Sequence, residues 1–175
     1  MNCKLVIQYA FILLVISFYT ACKVKKDIEK PPITAGTQTK EAFILNPFGY
    51  EPTIKKFSTY LPSYKLQIYT IRNRLNPSIT DSIFRFYHKK NELFIYKTKS
   101  GRELFVAGNI YDNRILLQNG VKVGIERGDF FRCFTDFKPN SNDTIRITSK
   151  RAANSFYFIF KKNKLCSIKI DNYID

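Results

Sequence analysis

Two stretches of this chain carry the same order of short apolar segments, and this internal repetition most constrains the fold. The matched segments are 81–86 with 143–148, 91–97 with 154–160, 102–104 with 163–165, and 110–112 with 173–175. The four pairs are offset by nearly the same number of residues. Short polar connections separate the segments, which favours antiparallel strands joined by tight turns. Each stretch therefore predicts a set of three antiparallel strands.

A helix over residues 127–137 is predicted before the strands of the second stretch. Its apolar side chains recur at the spacing of one helix face, at Phe130, Cys133, Phe134 and Phe137. Pro139 follows closely and would stop a helix there. We expect the apolar side of this helix to pack on the sheet.

The first stretch has a matching helix and one additional strand. Pro52 stands at the expected start of this helix and Pro62 at its end, with apolar residues between them. Residues 65–73 then alternate Leu or Ile with other side chains, which predicts an extra strand. A turn at Asn76 and Pro77 separates this strand from the repeated set.

These elements predict an α+β fold of two tandem helix-plus-antiparallel-sheet repeats, with the helices packed on one face of the sheet. The repeats span residues 41–113 and 114–175. Composition agrees, because the 16 Phe and 11 Tyr of the chain favour strands. The alternative is a chance similarity among strands that are all rich in Phe and Ile.

The N-terminus is typical of an exported lipoprotein. Lys4 precedes an apolar run over residues 5–18, which is shorter than a membrane-spanning helix requires. Two small residues stand directly before Cys22, although Tyr19 departs from the usual Leu. We therefore expect residues 1–21 to be a signal peptide and Cys22 to be acylated. An uncleaved membrane anchor and ordinary cleaved secretion are the alternatives.

Residues 22–40 are charged, contain a Pro pair and predict a flexible tether between the lipid and the folded domain. Surface-exported lipoproteins of Bacteroidota resemble one another in carrying acidic residues directly after the cysteine. Here the first acid is Asp27, which follows three lysines. The segment therefore favours an outer-membrane lipoprotein that faces the periplasm rather than the cell surface.

The chain carries a formal net charge of +15. A balance this basic indicates an anionic neighbour, such as lipid headgroups, lipopolysaccharide, acidic glycan or an acidic protein. Nucleic acid is the usual partner of a basic cytoplasmic chain, but the export signal argues against it. The lysines are scattered along the sequence, which also fits a solvated basic surface without a specific ligand.

Two cysteines remain once the signal and the lipidated cysteine are set aside. Cys133 and Cys166 are compatible with one disulfide, because exported proteins fold in an oxidising compartment. Two buried free thiols are the alternative, since cysteine is often fully buried. Neither cysteine has a flanking motif typical of a catalytic nucleophile.

The sequence contains no motif typical of an enzyme. It lacks the Gly-x-Ser-x-Gly, phosphate-loop and His-Glu-x-x-His patterns, and it holds a single histidine, His88. Asp81 and Asp143 stand where strands are predicted to begin, and such residues usually bond the turn. We therefore expect a non-catalytic binding module without a cofactor or a metal.

Strand alternation predicts which side chains face away from the helices. Ile145 and Ile147 share a face that we expect a helix to cover, and alignment places Ile83 and Arg85 on that same face. The opposite face then combines aromatic side chains with an arginine rim, as protein interfaces do. The candidate binding face comprises Phe84, Phe86, His88, Phe94, Tyr96, Arg72 and Arg74. The alternative is that loops, the tether or the extra strand cover this face.

The second stretch resembles a known family of small lipoprotein domains. Residues 119–125, followed by a Phe-rich helix, resemble the element that begins outer-membrane lipoprotein domains of the SmpA/OmlA type. Residues 156–160 and 165–168 are similar to the closing hairpin of that domain. Two such units in tandem, over residues 41–175, resemble the β-lactamase-inhibitor-protein-like fold. The resemblance implies protein binding across a sheet, or assistance to outer-membrane assembly, and it supplies no catalytic residue.

These features predict a lipid-anchored envelope protein that binds another envelope protein. Membrane contact is expected through the lipid anchor. An anionic glycan or lipopolysaccharide is the alternative ligand, because aromatic faces stack on sugar rings and the chain is basic.

Overall fold

A computed structural model describes residues 38–73, 75–149 and 154–172. Within them the chain forms one seven-stranded antiparallel sheet with a few short helices, which is an α+β architecture. In chain order the elements are α1 (Lys40–Leu45), α2 (Ile54–Tyr60), β1 (Lys65–Arg72), β2 (Thr80–His88), β3 (Asn91–Lys97), β4 (Glu103–Ile110), a 3₁₀ turn (Gln118–Gly120), α3 (Arg127–Arg132), β5 (Thr144–Thr148), β6 (Asn154–Lys161) and β7 (Lys164–Asn172).

The strands lie in the order β1-β2-β3-β4-β7-β6-β5, so β1 and β5 are the two edges. Short turns join β2 to β3, β3 to β4 and β6 to β7, and every neighbouring pair is antiparallel. This confirms the predicted strands, including the extra strand β1. The pairing of β4 with β7 joins β1 to β4 and β5 to β7 into one open sheet.

The helix between Pro52 and Pro62 is also confirmed, as α2. Thr53 caps it, and the Thr53 Oγ1 accepts a hydrogen bond from the Lys56 amide at 3.2 Å. The Ile54 amide at its start donates to Glu103 Oε2 at 2.8 Å, which fixes the helix against β4.

The second predicted helix is shorter than its apolar pattern indicates, since α3 ends at Arg132. The Cys133 carbonyl accepts hydrogen bonds from the Gln38 amide at 3.4 Å and from Asn119 Nδ2 at 3.0 Å. The neighbouring Phe134 forms a parallel bridge with Gln38. Tertiary partners therefore take the backbone groups that another helical turn would have used.

The start of the folded domain includes an element that the pattern did not predict. Residues 38–40, the last of the predicted tether, belong to the described fold, and α1 follows them directly. Thr39 caps α1, and its Oγ1 accepts a hydrogen bond from the Ala42 amide at 3.2 Å. The rest of the predicted tether and the signal peptide lie outside the described residues.

Two clusters of Phe rings hold the helices on one face of the sheet. In the first cluster, Phe57 of α2 packs against Phe86 of β2 at 5.6 Å and Phe105 of β4 at 5.8 Å between ring centroids. In the second, Phe130 of α3 packs against Phe158 of β6 at 4.7 Å. Each buried ring contributes a large apolar area and an aromatic pair geometry to the core.

One predicted face assignment is wrong, because Ile83 and Arg85 do not point toward the helices. Phe86 is buried in the core beside its cross-strand partner Leu93, and Phe84 pairs with Ile95 on that same side. The cause is the alignment that related β2 to β5. It matched 81–86 with 143–148, an offset one residue shorter than the offset between β3 and β6. A one-residue slip moves every side chain of a strand to the opposite face.

Candidate binding surface on the helix-free face of the sheet

The face opposite α1, α2 and α3 is called the helix-free face. Cross-strand registers arrange its side chains in rows, three of which cross at least four strands. The first row is Tyr69, Ile83, Tyr96 and Leu104; the second is Gln67, Arg85, Phe94, Ala107, Asp171, Ser155 and Thr148; the third is Lys65, Tyr87, Glu92, Asn109, Lys169, Tyr157 and Arg146. Most of these side chains are half-buried or exposed.

The first row is an apolar strip across β1 to β4. Tyr69 lies opposite Ile83, and Ile83 lies opposite Tyr96. Tyr69 is exposed, while Ile83 and Tyr96 are half-buried. Such cross-strand aromatic and β-branched neighbours stabilise a sheet, and they also present a continuous apolar surface.

Asp81 lies on the same side of β2, at the end of this strip, and it is buried. The Tyr96 hydroxyl donates a hydrogen bond to Asp81, as do Asn73 Nδ2 at 2.7 Å and the Lys99 amide at 2.8 Å. These bonds, led by the Tyr96 hydroxyl, lower the pKa of Asp81. The carboxylate ties together the turns before β2 and after β3, so its role is structural.

Arg85 organises the second and third rows on β2 and β3. Its guanidinium donates to Glu92 Oε2 from Nε at 3.1 Å and from Nη2 at 2.9 Å, so two hydrogen bonds of this ion pair converge on one carboxylate oxygen. The same group lies 4.9 Å from the centroid of the Tyr87 ring. Glu92 Oε1 also accepts a hydrogen bond from Asn109 Nδ2 at 3.0 Å. The cluster combines an aromatic ring with an ion pair, and Glu92 neutralises Arg85.

A second cluster surrounds Tyr157 on the other half of the face. The Arg146 guanidinium lies 5.4 Å, and the Lys169 ammonium 5.8 Å, from the centroid of the Tyr157 ring. Lys169 also pairs with Asp171 at 2.8 Å, and this hydrogen bond raises the pKa of Lys169. Both halves of the face thus carry an aromatic ring beside cations, with an acid next to the main cation.

The structure does not bring the predicted binding residues together on one face. Phe94 and Tyr96 lie on the helix-free face, whereas Phe84 and Phe86 lie on the core side. Arg72 is exposed at the end of β1, and the register places it on the helix side of the sheet. Arg74 lies outside the described residues. The phase error in β2 explains the split, because it exchanged the two sides of that strand.

His88, the only histidine, lies at the end of β2 and not on the helix-free face. Its Nδ1 is 3.0 Å from the Ser63 carbonyl, and its ring centroid is 5.7 Å from that of Tyr64. His88 therefore helps to attach the segment before β1 to the sheet, and it has no part in the candidate surface.

The two cysteines of the folded domain are free thiols, so the disulfide alternative is not what this structure contains. Cys133 is buried at the end of α3, and its Sγ donates to the carbonyls of Asn119 and Asp129, each at 3.3 Å. Burial raises the pKa of the Cys133 thiol. Cys166 is exposed on β7. Cys22, the predicted lipidation site, lies outside the described residues.

Sequence reasoning missed Tyr87 and Tyr157, together with the charged groups that surround them. One signal could have found them. If β2 is aligned with β5 by the sequence offset that relates β3 to β6, Phe84 becomes the equivalent of Ile147, whose side chain lies in the core. Tyr87 and Arg85 then fall on the helix-free face, next to Phe94. The ion pairs themselves depend on cross-strand register, which a single strand does not reveal.

Within residues 38–73, 75–149 and 154–172, no group of three or more His, Cys, Asp or Glu side chains could hold a metal ion. Across the same ranges, no helix has the length and apolar character needed to cross a membrane. Comparisons with known proteins add no relative. The chain matches no family model, no curated protein and no solved structure.

Proposed function

We propose that this protein is a lipid-anchored envelope protein that binds another envelope protein through the helix-free face, without catalysis. One observation carries the proposal. Among the described residues, no helix packs on this face, yet it holds half-buried or exposed aromatic rings at Tyr69, Tyr87, Phe94 and Tyr157. Rings of this kind, set among arginine and polar groups, are the anchors that protein interfaces use.

The charges of the face favour a protein over a polyanion. Arg85 is neutralised by Glu92 and Lys169 by Asp171, so acids and bases alternate across the face, to which Lys65 and Arg146 add two further cations. An acidic glycan or lipopolysaccharide would have to displace these acids or accept their repulsion. A protein surface can instead match the alternating signs, which gives specificity.

Anionic glycan or lipopolysaccharide stays the second candidate because the chain as a whole carries a net charge of +15. Binding of this kind would be dominated by charge, so its affinity should fall steeply with added salt. Affinity for a protein partner that packs on the aromatic rings should change much less.

The membrane part of the proposal comes from the sequence. Cys22 follows an apolar run and two small residues, so acylation there would hold the domain at the membrane, outside the cytoplasm. Periplasmic orientation at the outer membrane is proposed on the lysines that precede Asp27. Labelling with a fatty-acid analogue tests this, and Cys22→Ala should abolish the label. Persistent label in that variant would contradict the anchor.

Two tandem repeats, 41–113 and 114–175, are also part of the proposal. The strand order supports it, since β2-β3-β4 and β5-β6-β7 are three-stranded sets that meet through β4 and β7. Each set is covered by a Phe from a preceding helix, Phe57 in one case and Phe130 in the other. We propose that protein binding uses the face that both units leave free of helices.

Crosslinking in intact envelopes tests the proposed partner. A photoreactive amino acid at Phe94 should give one adduct of defined mass. Adding Tyr87→Ala and Tyr157→Ala should remove that adduct while the thermal unfolding temperature stays close to the parent value. Tyr60→Ala is the matched control, because this half-buried tyrosine lies on α2, on the other side of the sheet, and it should leave the adduct unchanged. An adduct that survives the face variants would contradict the proposal.

A further inference from the structure

The edge strand β1 has one side of its backbone without a partner in the described part of the chain. All eight of its residues pair with β2, in an unbroken register from Lys65 opposite Tyr87 to Arg72 opposite Thr80. It stands at the end of the strand order, so its other side is not bonded to any described strand. A long, regular edge of this kind is a template for another strand.

The side chains of β1 leave this edge unprotected. Leu66 is 44% exposed and Ile68 is 55% exposed, although both lie on the helix side of the sheet. The strand contains no proline, and its charged residues, Lys65 and Arg72, stand only at its two ends. Edge strands are normally blocked by a proline, a bulge or a charge within the strand. β1 has no proline and no bulge, and its one charge on the helix side, Arg72, stands at its last residue.

We infer that β1 binds an extended segment of the partner protein by strand addition, and that this segment has acidic residues at both ends and apolar residues at alternate positions between them. The inference rests on the proposed function, because the protein bound in the envelope supplies the segment. New main-chain hydrogen bonds would provide affinity, while Leu66 and Ile68 would contact every second side chain.

Charge selects a partner segment over a second copy of this chain. A second copy carries the same net charge of +15 and the same two cations on its β1, so two copies repel each other as they approach. The same two cations attract acidic residues at the ends of an incoming strand, whichever direction it runs. The net charge of +15 acts in the same sense over longer range.

The test uses purified lipid-free protein from residue 23 onward and three synthetic peptides. The first is an octapeptide with glutamate at both ends and alternating valine and threonine between them. The second has lysine at both ends, and the third is the glutamate peptide with alternate amides N-methylated. Fluorescence anisotropy measures affinity, and amide hydrogen exchange measures protection of residues 65–72.

The glutamate peptide should bind and slow exchange within residues 65–72. The lysine peptide should bind about tenfold more weakly, as expected when two exposed ion pairs become repulsive. The N-methylated peptide should not protect the edge. Ile68→Glu should weaken binding of the glutamate peptide, whereas Ile159→Glu, an equal charge change on β6, should not.

Three results would overturn the inference. They are failure of the glutamate peptide to bind, exchange protection that appears away from β1, and concentration-dependent self-association blocked by Ile68→Glu. The envelope crosslink at Phe94 separates the two proposals. If that crosslink persists while the peptide result is negative, only strand addition fails. If the peptide binds but the crosslink survives the face variants, only the use of the helix-free face fails.

Discussion

The two edges of the sheet, β1 and β5, share an alternating pattern but differ in what lies above them. On β5 the inward side chains Ile145 and Ile147 are each 3% exposed, because α1 packs on β5 and β6. On β1 the corresponding positions, Leu66 and Ile68, remain about half exposed. Alternation therefore assigns a side chain to a face, whereas its burial depends on a helix from elsewhere in the chain.

In the half of the sheet formed by β5, β6 and β7, Phe rings from α1 and α3 bury the inward side chains. Phe43 of α1 packs against Phe156 at 5.7 Å between ring centroids, and Phe130 of α3 packs against Phe160 at 5.3 Å. On the other half, Phe57 of α2 reaches β2 at Phe86. The apolar side chains of β1 lie beyond that ring and are available to a partner.

The largest loss of stability is expected from removing a buried ring in the half of the sheet that α1 and α3 cover. Phe158→Ala should lower the free energy of unfolding by about 3–5 kcal/mol, because it removes a fully buried ring and leaves a cavity. Urea denaturation followed by circular dichroism measures this. Phe94→Ala is the control on the helix-free face and should cost clearly less. Equal losses would mean that the helix-free face is packed as tightly as the core.

A direct comparison of the two edges uses the same substitution twice. Ile147→Ala should cost about 2–4 kcal/mol of unfolding free energy, because its side chain is buried under α1. Ile68→Ala should cost less than about 1 kcal/mol, since the side chain is half exposed. Similar losses at the two sites in a monomeric sample would contradict the difference between the edges.

Acid should affect the two halves differently through their aspartates. Hydrogen bonds lower the pKa of Asp81 below its usual 3.8, so the stability they contribute is present above that pH. This stability is lost as the pH falls through the lower, folded-state pKa. Asp81→Asn should therefore lower the unfolding temperature by several degrees near pH 7 and flatten its decline below pH 4.

Asp143 provides the matched control for that experiment. Asp143 stands directly before β5, and Asp81 is the second residue of β2. Unlike Asp81, Asp143 has a side chain that is 88% exposed, and its ion pair with Arg127 has an N–O distance of 3.5 Å. Asp143→Asn should change the unfolding temperature much less at pH 7. Thermal scans from pH 2.5 to 7 compare both variants, and a loss as large as that of Asp81→Asn would break the contrast.

The smallest effect concerns the two thiols. Cys166 is exposed and should react with iodoacetamide in the native protein, whereas Cys133 is buried with a raised pKa and should react only after unfolding. Mass spectrometry of the alkylated protein counts the modified sites. Two modified thiols under native conditions would mean that the region beneath α3 opens readily.

Local patterns were enough to predict the strands, the turns between them and α2. The prolines on either side of α2 and the alternation in β1 act within a few residues, so they need no tertiary information. The shortened α3 and the added α1 were not predictable in this way. The end of α3 depends on Gln38 meeting the Cys133 and Phe134 backbone, a contact between distant parts of the chain, and α1 follows Gln38 directly.

The candidate site shows the same division. Phe94 and Tyr96 lie together on the side of β3 that faces away from the helices, as the alternation predicted. Tyr87 and Tyr157, which give the helix-free face its aromatic and cationic clusters, were not among the predicted residues. Side-chain alternation has two equivalent phases, and neighbouring strands decide between them. A one-residue error in β2 was therefore enough to exchange core and surface.

By itself, the sequence determined an antiparallel, aromatic-rich set of strands and short helices, because turn chemistry and the two-residue period are local properties. Only the tertiary structure decided that β4 meets β7 and that β1 is left as an open edge. Those outcomes follow from which distant apolar surfaces pack together, since the energy of burial has no direction along the chain.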